Sequence, residues 1–327
     1  MANEMILVCG GAGYIGSQVA LDLKTRGVPV VVVDNLVRGN RDIVEKLQLP
    51  LEVGDILDAE FLRGVFKKYK PAAVMHFAAY SLVGESVVDP SLYYRNNVAG
   101  TISLLDVMRE FDVNKIIFSS TAATYGVPED LIITEETHNR PINPYGWSKL
   151  MIERVLQDYR TYGMDFVVFR YFNAAGASPT GLIGERHNPE SHAIPLALKA
   201  LLTNGEFKVF GSDYPTKDGT CVRDYVHVAD ISQAHLLGLD HLLQGKKGGI
   251  FNIGSGTGYS VNELLDAIDR VTGKKINRKM SERRPGDPPT LVASSKKLSA
   301  ELGWKAKYSL DEIIETAWKW HQSDMKK

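Results

Sequence analysis

The segment Met5-Ile6-Leu7-Val8-Cys9-Gly10-Gly11-Ala12-Gly13-Tyr14-Ile15-Gly16 constrains this chain more than any other. A short apolar run, Met5 to Cys9, reads as a buried strand. Glycines at 10, 13 and 16 follow it, and an amphipathic stretch from Tyr14 to Arg26 reads as a helix. In that order, the missing side chains permit a tight turn, close approach of a pyrophosphate and close helix–strand packing. The start of the helix offers free N–H groups and a positive dipole end to phosphate. The spacing is G-x-x-G-x-x-G rather than G-x-G-x-x-G. A purely structural glycine turn is the competing reading, and the flanking strand and helix argue against it.

The rest of the first half repeats the rhythm. Val30–Asp34, Leu51–Val53, Ala73–Ala78, Lys115–Ser119 and Phe166–Phe172 read as strands. Helices are expected over about 58–68, 90–110 and 144–162. Continuous apolar strands alternating with helices predict an α/β fold, a Rossmann-like doubly wound parallel sheet covered on both faces. After about Ala175 the rhythm changes. Helices near 194–202, 228–243, 261–271, 296–302 and 310–322, with short strands between, predict a smaller mixed α/β lobe. The expected division is 1–175 and 176–327, the chain returning to the first domain at about 225–253.

Composition narrows the setting. With 38 Lys+Arg against 39 Asp+Glu, a nucleic-acid or anionic-membrane surface is not the expected partner. Two cysteines, Cys9 and Cys221, exclude a disulfide framework and fit a reducing compartment. The N-terminal residues lack the pattern of a signal peptide, and no apolar run reaches the roughly 20 residues that span a bilayer. A cytoplasmic protein is expected. No spaced His/Cys/carboxylate set is read, so no metal is expected.

Asp34 ends the second predicted strand, 18 residues beyond Gly16. A carboxylate there can accept hydrogen bonds from ribose hydroxyls and repels a 2′-phosphate, favouring NAD over NADP. Alternatively it caps the following turn. Asp55, with Ile56 beside it, stands in a similar place after the third strand. Tyr145 and Lys149 lie four residues apart at the start of a predicted helix and so share a face. A free tyrosine has a pKa of about 10. A neighbouring ammonium favours the phenolate, making Tyr145 a candidate base. Thr121, at the end of the fifth strand, is placed to bond the same substrate hydroxyl. A Tyr/Lys pair at this spacing also arises by chance in helices, and it gains meaning from the glycine loop. His76 lies in a predicted strand and reads as packed rather than catalytic.

Together the glycine loop, Asp34, Asn96, Ser119-Ser120-Thr121 and Tyr145-x-x-x-Lys149 resemble the extended short-chain dehydrogenase/reductase family. Further segments narrow the resemblance to members that epimerise UDP-galactose and UDP-glucose at C4. These are Tyr171-Phe172-Asn173, Gly219-Thr220-Cys221-Val222-Arg223-Asp224-Tyr225-Val226-His227, Asn252-Ile253-Gly254-Ser255-Gly256 and Arg283-Arg284-Pro285-Gly286-Asp287. It runs from about Ile6 to Trp320. The Tyr-x-x-x-Lys pair is specific only to the superfamily, and the arginine-bearing segments are more specific to nucleotide-sugar members.

The resemblance implies a bound NAD that is regenerated each cycle, an isomerase activity through a 4-keto intermediate, and a UDP-sugar substrate. It implies Tyr145, Lys149 and Thr121 as catalytic residues. Toward NAD it implies Gly10, Gly13, Tyr14, Ile15, Gly16, Asp34, Asn35, Asp55, Ile56, Phe77, Ala78, Asn96, Ser119 and Tyr171 beside the catalytic pair. Toward the substrate it implies Thr121, Tyr145, Asn173, His192, Ala193, Phe210, Arg223, Tyr225, Arg284, Asp287 and Leu291. Arg223 and Arg284 would hold the diphosphate, Phe210 the uracil and Asp287 the uridine ribose. A homodimer through the helices at 90–110 and 144–162 is also implied.

The chain departs from the family pattern in places. Cys9 replaces a usual Thr. Ser81 stands where many members carry Lys near the nicotinamide, which implies weaker NAD retention. Leu291 stands at the sugar-pocket gate where other members carry Tyr or a small residue, which implies some acceptance of UDP-N-acetylhexosamines. Three rivals remain: a UDP-glucuronate 4-epimerase, a nucleotide-sugar 4,6-dehydratase and a non-catalytic NAD-binding regulator. Dehydratases need an Asp-Glu pair directly after the Thr, and here Ala122 and Ala123 stand there. A regulator has little reason to keep Thr121, Tyr145 and Lys149 together.

Overall fold

The computed structural model describes residues 4–284 and 287–324. In chain order its strands are β1 Ile6–Cys9, β2 Val30–Asp34, β3 Leu51–Val53, β4 Ala73–His76, β5 Lys115–Thr121, β6 Asp165–Tyr171, β7 Asn173–Ala175, β8 Glu206–Phe210, β9 Val222–His227, β10 Ile250–Ile253, β11 Gly258–Ser260, β12 Asn277–Ser281 and β13 Thr290–Leu291. The α-helices are α1 Tyr14–Thr25, α2 Arg41–Leu47, α3 Ala59–Tyr69, α4 Val83–Val88, α5 Pro90–Tyr93, α6 Gly100–Glu110, α7 Pro144–Tyr159, α8 Ala193–Thr203, α9 Val228–Leu243, α10 Val261–Thr272, α11 Lys296–Leu302 and α12 Leu310–Asp324.

Seven strands form one sheet in the order β10-β6-β5-β4-β1-β2-β3. The β3–β2, β2–β1, β1–β4 and β4–β5 pairs are parallel. This is the α/β, Rossmann-like sheet that the apolar runs predict. Every residue of β1, β2 and β4 is buried. The alternation of the strands explains why: Leu7, Cys9, Val31, Val33 and Val74 pack in one core with Leu62, Phe66, Leu104, Leu105, Ile152 and Leu156 of three helices, while Ile6, Val8, Val32 and Met75 are buried on the opposite face. Both faces are covered, so the strands read as unbroken hydrophobic runs. The chain steps outward from β1 through β2 to β3, then returns to β4 on the other side of β1. That reversal opens a crevice at the carboxyl ends of β1 and β4, the general place for a ligand in such sheets.

The helix expected over 90–110 is interrupted. Asp89 caps α5 by accepting from the Leu92 N–H, and Pro90 sits in its first turn. Tyr94–Ala99 then winds as a π-helix before α6 resumes. Such wide turns insert a residue into the helix and re-aim side chains, often at functional sites. Two helices unread in the sequence, α2 and α4, follow β2 and β4.

The chain divides into two compact units. The first runs to Gly126, resumes over Asn139–Arg170 and returns over Ser232–Phe251; the second comprises Val127–His138, Tyr171–Ile231 and the chain from Asn252 onward. The segment Val127–His138, inside the span read as the first domain, goes with the second unit for a backbone reason. Ile133 bridges Ala293, its N–H donates to Val292 O, and its carbonyl accepts from Ser294 N. In the second unit β7, β9, β11 and β13 form one sheet and β8 pairs β12. Its core gathers Leu198 and Leu201 of α8, Leu264 and Ile268 of α10, and Ile313 and Ile314 of α12. Ser260 and Glu263 close the start of α10 with a reciprocal capping box. Among the described residues, no helix is long and apolar enough to cross a membrane.

Candidate active site

The glycine turn is built by contacts that no side chain would allow. Gly10 has a φ of +78°, and a Cβ there would lie 2.4 Å from Ala78 N. A Cβ at Gly16 would lie 2.3 Å from Gly10 O. Gly13 differs, because a Cβ there would meet only Gly10 O, at 3.4 Å. Gly13 is also the N-cap of α1, and no side chain bonds into the first turn from it. Bare backbone beside open space suits a phosphate group. Tyr14 and Ile15 begin α1 directly behind this turn. Phe77 and Ala78, both donating to Cys9 O, close its other side. Cys9 itself is fully buried, and burial holds its thiol well above the ordinary range.

Asp34 serves this turn directly. One carboxylate oxygen accepts from Ala12 N at 3.0 Å and the other from Leu36 N at 2.9 Å. The second bond is the turn cap weighed in the sequence, and the first ties the end of β2 to the glycine loop. Burial raises the Asp34 carboxyl, and the two amide donors pull it back. Asn35 donates to Asp55 at 2.9 Å, joining the ends of β2 and β3. Asp55 also accepts from Leu57 N, while Ile56 is buried against Gly100.

The π-helix presents Asn96 and Asn97, both buried. Asn96 donates to Asn97 Oδ1 at 3.0 Å. Asn97 accepts from Tyr80 N, and its amide faces Tyr80 O and Ser148 Oγ at 3.0 Å. Asn97 therefore ties the loop after β4 to α7, a role missed in the sequence. The wide turn that aims it there has no local sequence signature. Ser81, the next residue in that loop, is exposed.

Asn143 caps α7 by accepting from Gly146 N at 2.8 Å, and Pro144 occupies its first turn. This start places Tyr145 and Lys149 on one face at the end of β5. Thr121 beside it draws the Tyr145 phenol down, but burial is the larger effect and raises it. Lys149 is 2 % exposed. Its ammonium donates to Ser119 O at 2.7 Å and lies 4.8 Å from the centre of the Phe118 ring. Burial pulls the ammonium down to about 7, and Glu153 one turn further along α7 opposes that. The sequence reading had Lys149 lowering Tyr145. In the protein alone the lowering comes from Thr121, burial exceeds it, and the Lys149 ammonium donates to a carbonyl.

Glu153 belongs to a buried network. It receives both ends of the Arg170 guanidinium, at 3.0 and 2.5 Å, and the Ser120 hydroxyl at 2.5 Å. Arg170 also donates to Tyr125 Oη at 2.8 Å. His76 is packed as read: it is 1 % exposed, bonds Thr101 Oγ1 at 2.8 Å, and is pushed down to about 3 by burial and by Lys149.

The second unit collects most residues read as nucleotide contacts. Arg223, on β9, donates to Val222 O and Pro288 O and lies 3.6 Å from Asp287. Leu291 is its neighbour on β13 in the register of the sheet. Asn173 on β7 pairs across from Tyr225 and donates to Asp224 O at 2.9 Å. The Arg284 guanidinium lies 3.9 Å from the centre of the Phe210 ring. Pro285 and Gly286, quoted in the sequence motif, lie outside the described residues. His192 and Ala193 form the entry to α8.

Three residues turn out to be packed. Tyr225 is 6 % exposed within the second core, which pushes its phenol up to about 12. Asp224 accepts from Ser255 N and Oγ, Gly256 N and Ala293 N, so it builds the Asn252–Gly256 loop. Tyr171 is likewise buried. Strand alternation puts Asp224 on the face opposite Arg223 and Tyr225.

The NAD dependent epimerase/dehydratase family matches residues 6–254. The chain is similar to a UDP-glucose 4-epimerase of Rhizobium leguminosarum bv. trifolii, with 50% identity over 323 residues and 98% of each chain covered. It is similar to the crystal structure of a UDP-glucose 4-epimerase, with a TM-score of 0.96, 50% identity and 98% of each chain covered. The Stenotrophomonas maltophila UDP-glucose-4-epimerase, solved with NAD and formylated UDP-arabinopyranose, is also similar: TM-score 0.96, 36% identity and 99% of each chain covered. With the glycine turn, the Thr121/Tyr145/Lys149 group and a match over three quarters of its length, the chain belongs to the NAD dependent epimerase/dehydratase family.

Proposed function

We propose that this protein interconverts UDP-galactose and UDP-glucose by NAD-dependent epimerisation at C4 through a 4-keto sugar. The observation that carries this reading is Tyr145, beside Thr121 and one helical turn from Lys149, in the same unit as an open glycine turn. Bound NAD supplies the two-electron acceptor and donor, and that chemistry is the cofactor's own.

The chain's residues do the rest. Gly10, Gly13, Tyr14, Ile15 and Gly16 cradle the pyrophosphate with backbone N–H groups. Asp34 receives the ribose hydroxyls, and Asn35, Asp55 and Ile56 bracket the adenine. Phe77, Ala78, Asn96 and Ser119 shape the remainder of that pocket. Tyr145 takes the proton from the sugar 4-hydroxyl and later returns it, while Thr121 holds that hydroxyl in line. Because burial raises the Tyr145 phenol, positive charge must gather beside it before it can act as a base. Lys149 contributes to that charge, and Glu153 supports the ammonium. Ala122 and Ala123 offer no acid or base, which supports epimerisation over loss of water.

The nucleotide is held while the keto sugar turns over. Arg223, Arg284 and Asn173 bind the diphosphate, their forks suited to its oxygens. Phe210 faces the uracil, Asp287 the ribose, and Leu291 the sugar. The protein works in the cytoplasm as a homodimer through α5, α6 and α7. Support for that surface comes from Trp147 and Met151, four residues apart on α7 and each about two-fifths exposed, 42% and 41%.

The purified protein is incubated with UDP-galactose without added NAD, and UDP-glucose is measured. Conversion is expected. No conversion, even after NAD is supplied, overturns the assignment.

A further inference from the structure

The segment Glu185-Arg186-His187-Asn188-Pro189-Glu190-Ser191-His192 draws two carboxylates and two imidazoles together, with one donor atom from each lying within 4.8 Å of all the others. We propose that Glu185, His187, Glu190 and His192 form a site for a divalent cation of the zinc class. The sequence reading expected no metal because this E-x-H-x-x-E-x-H spacing was not read as a ligand set.

Two of the distances suit that ion. Zinc bonds of about 2.0–2.2 Å to nitrogen and oxygen put neighbouring ligand atoms of a tetrahedron about 3.3 Å apart. His187 Nδ1 lies 3.1 Å from Glu185 Oε1 and 3.7 Å from Glu190 Oε1, bracketing that edge. His192 Nδ1 also contacts Glu185 Oε1. The donor set excludes the hard alternatives, since calcium and magnesium take oxygen ligands in larger number, whereas two imidazoles favour a borderline metal.

Charge argues the same way. The side chains of Glu185 and Glu190 are 3% and 13% exposed, so two carboxylates are largely out of water. The two imidazole rings meet edge-on with centroids 5.2 Å apart. One divalent ion balances both carboxylates. The surroundings also hold the ligands in place. Trp320 Nε1 donates to Glu185 O at 3.1 Å. Glu190 Oε1 accepts from Ser191 N at 2.7 Å and His192 N at 2.9 Å, which fixes the carboxylate in place. A Cβ at Gly184 would lie 2.4 Å from the Trp320 ring, so the segment sits tightly on α12.

The inference does not depend on the activity proposed above, and its test reads metal directly. The full-length protein is stripped with a chelator, dialysed, and titrated with zinc against a chromophoric competitor. One zinc per chain is expected, with an X-ray absorption spectrum of four nitrogen and oxygen ligands. Zinc is also expected to raise the thermal midpoint. His187→Ala and Glu190→Gln are expected to weaken binding at least 100-fold while keeping the far-ultraviolet circular dichroism of the parent. His138→Ala, outside the cluster, is expected to bind like the parent. Failure of the parent to compete for zinc, or undiminished binding in folded His187→Ala and Glu190→Gln, overturns the proposal.

Discussion

Lys149 Nζ donates to the carbonyl oxygen of Ser119 across 2.7 Å, so the lysine one helical turn from the candidate base is anchored to the strand that carries Thr121. Burial pulls this lysine from its ordinary 10.5 down to about 7. In the unfolded chain it still holds its proton between those values, while the folded chain has released it. The unfolded state thus binds more protons in that window, and stability rises with pH there. The cost of burying the charge is fully present below about 7 and is gone above the unfolded value. Urea unfolding of the NAD-free protein is expected to show a rising component between pH 7 and 10 that Lys149→Met lacks. Identical pH profiles for the two proteins would refute this.

Tyr145→Phe removes the hydroxyl and leaves the ring beside Tyr93, with which Tyr145 makes an edge contact at 6.3 Å. Turnover is expected to fall roughly 100-fold to 10,000-fold, the range for loss of a general acid–base group. NAD content is expected to stay near that of the parent. A steady-state assay with parallel cofactor extraction separates the two effects.

Glycines 13 and 16 are expected to fail differently. Gly16→Ala drives a Cβ to 2.3 Å from a backbone oxygen and is expected to cost about 2 kcal/mol or more. Gly13→Ala meets its neighbour only at 3.4 Å and is expected to cost about 1 kcal/mol or less, yet to lose NAD because its methyl fills the phosphate space. Thermal melts and NAD content, measured on both variants, test the contrast.

Glu153 and Arg170 are 1% and 3% exposed. Removing one partner strands the other charge, so Glu153→Gln is expected to destabilise the fold by about 3–5 kcal/mol. Replacing both with Met is expected to recover most of that loss. Chemical denaturation of the single and double variants decides it.

Ser81 and Leu291 are expected to set the chain's individual behaviour. Ser81→Lys places a cation in the loop after β4 and is expected to slow NAD loss on extended dialysis. Leu291→Tyr is expected to lower turnover of UDP-N-acetylgalactosamine relative to UDP-galactose. No turnover of the acetylated sugar by the parent protein would sink the second expectation.

Hydrophobic period and glycine placement, which are local properties, made the sheet and its crevice legible. Val30 to Val33 are apolar because both faces of their strand are covered, and Gly10 precedes α1 because the backbone there needs a positive φ. Tyr145 and Lys149 were legible for the same reason, since helical spacing alone puts them on one face. Other features depended on residues far apart in sequence. The π-turn that aims Asn97 at Tyr80 and Ser148, the burial of Tyr225 and the passage of Val127–His138 into the second unit all came from packing and backbone pairing with distant segments. The protonation of Lys149 belongs with these. Its identity and spacing are written in the chain, but its charge is set by desolvation, and desolvation exists only once the fold has closed around it.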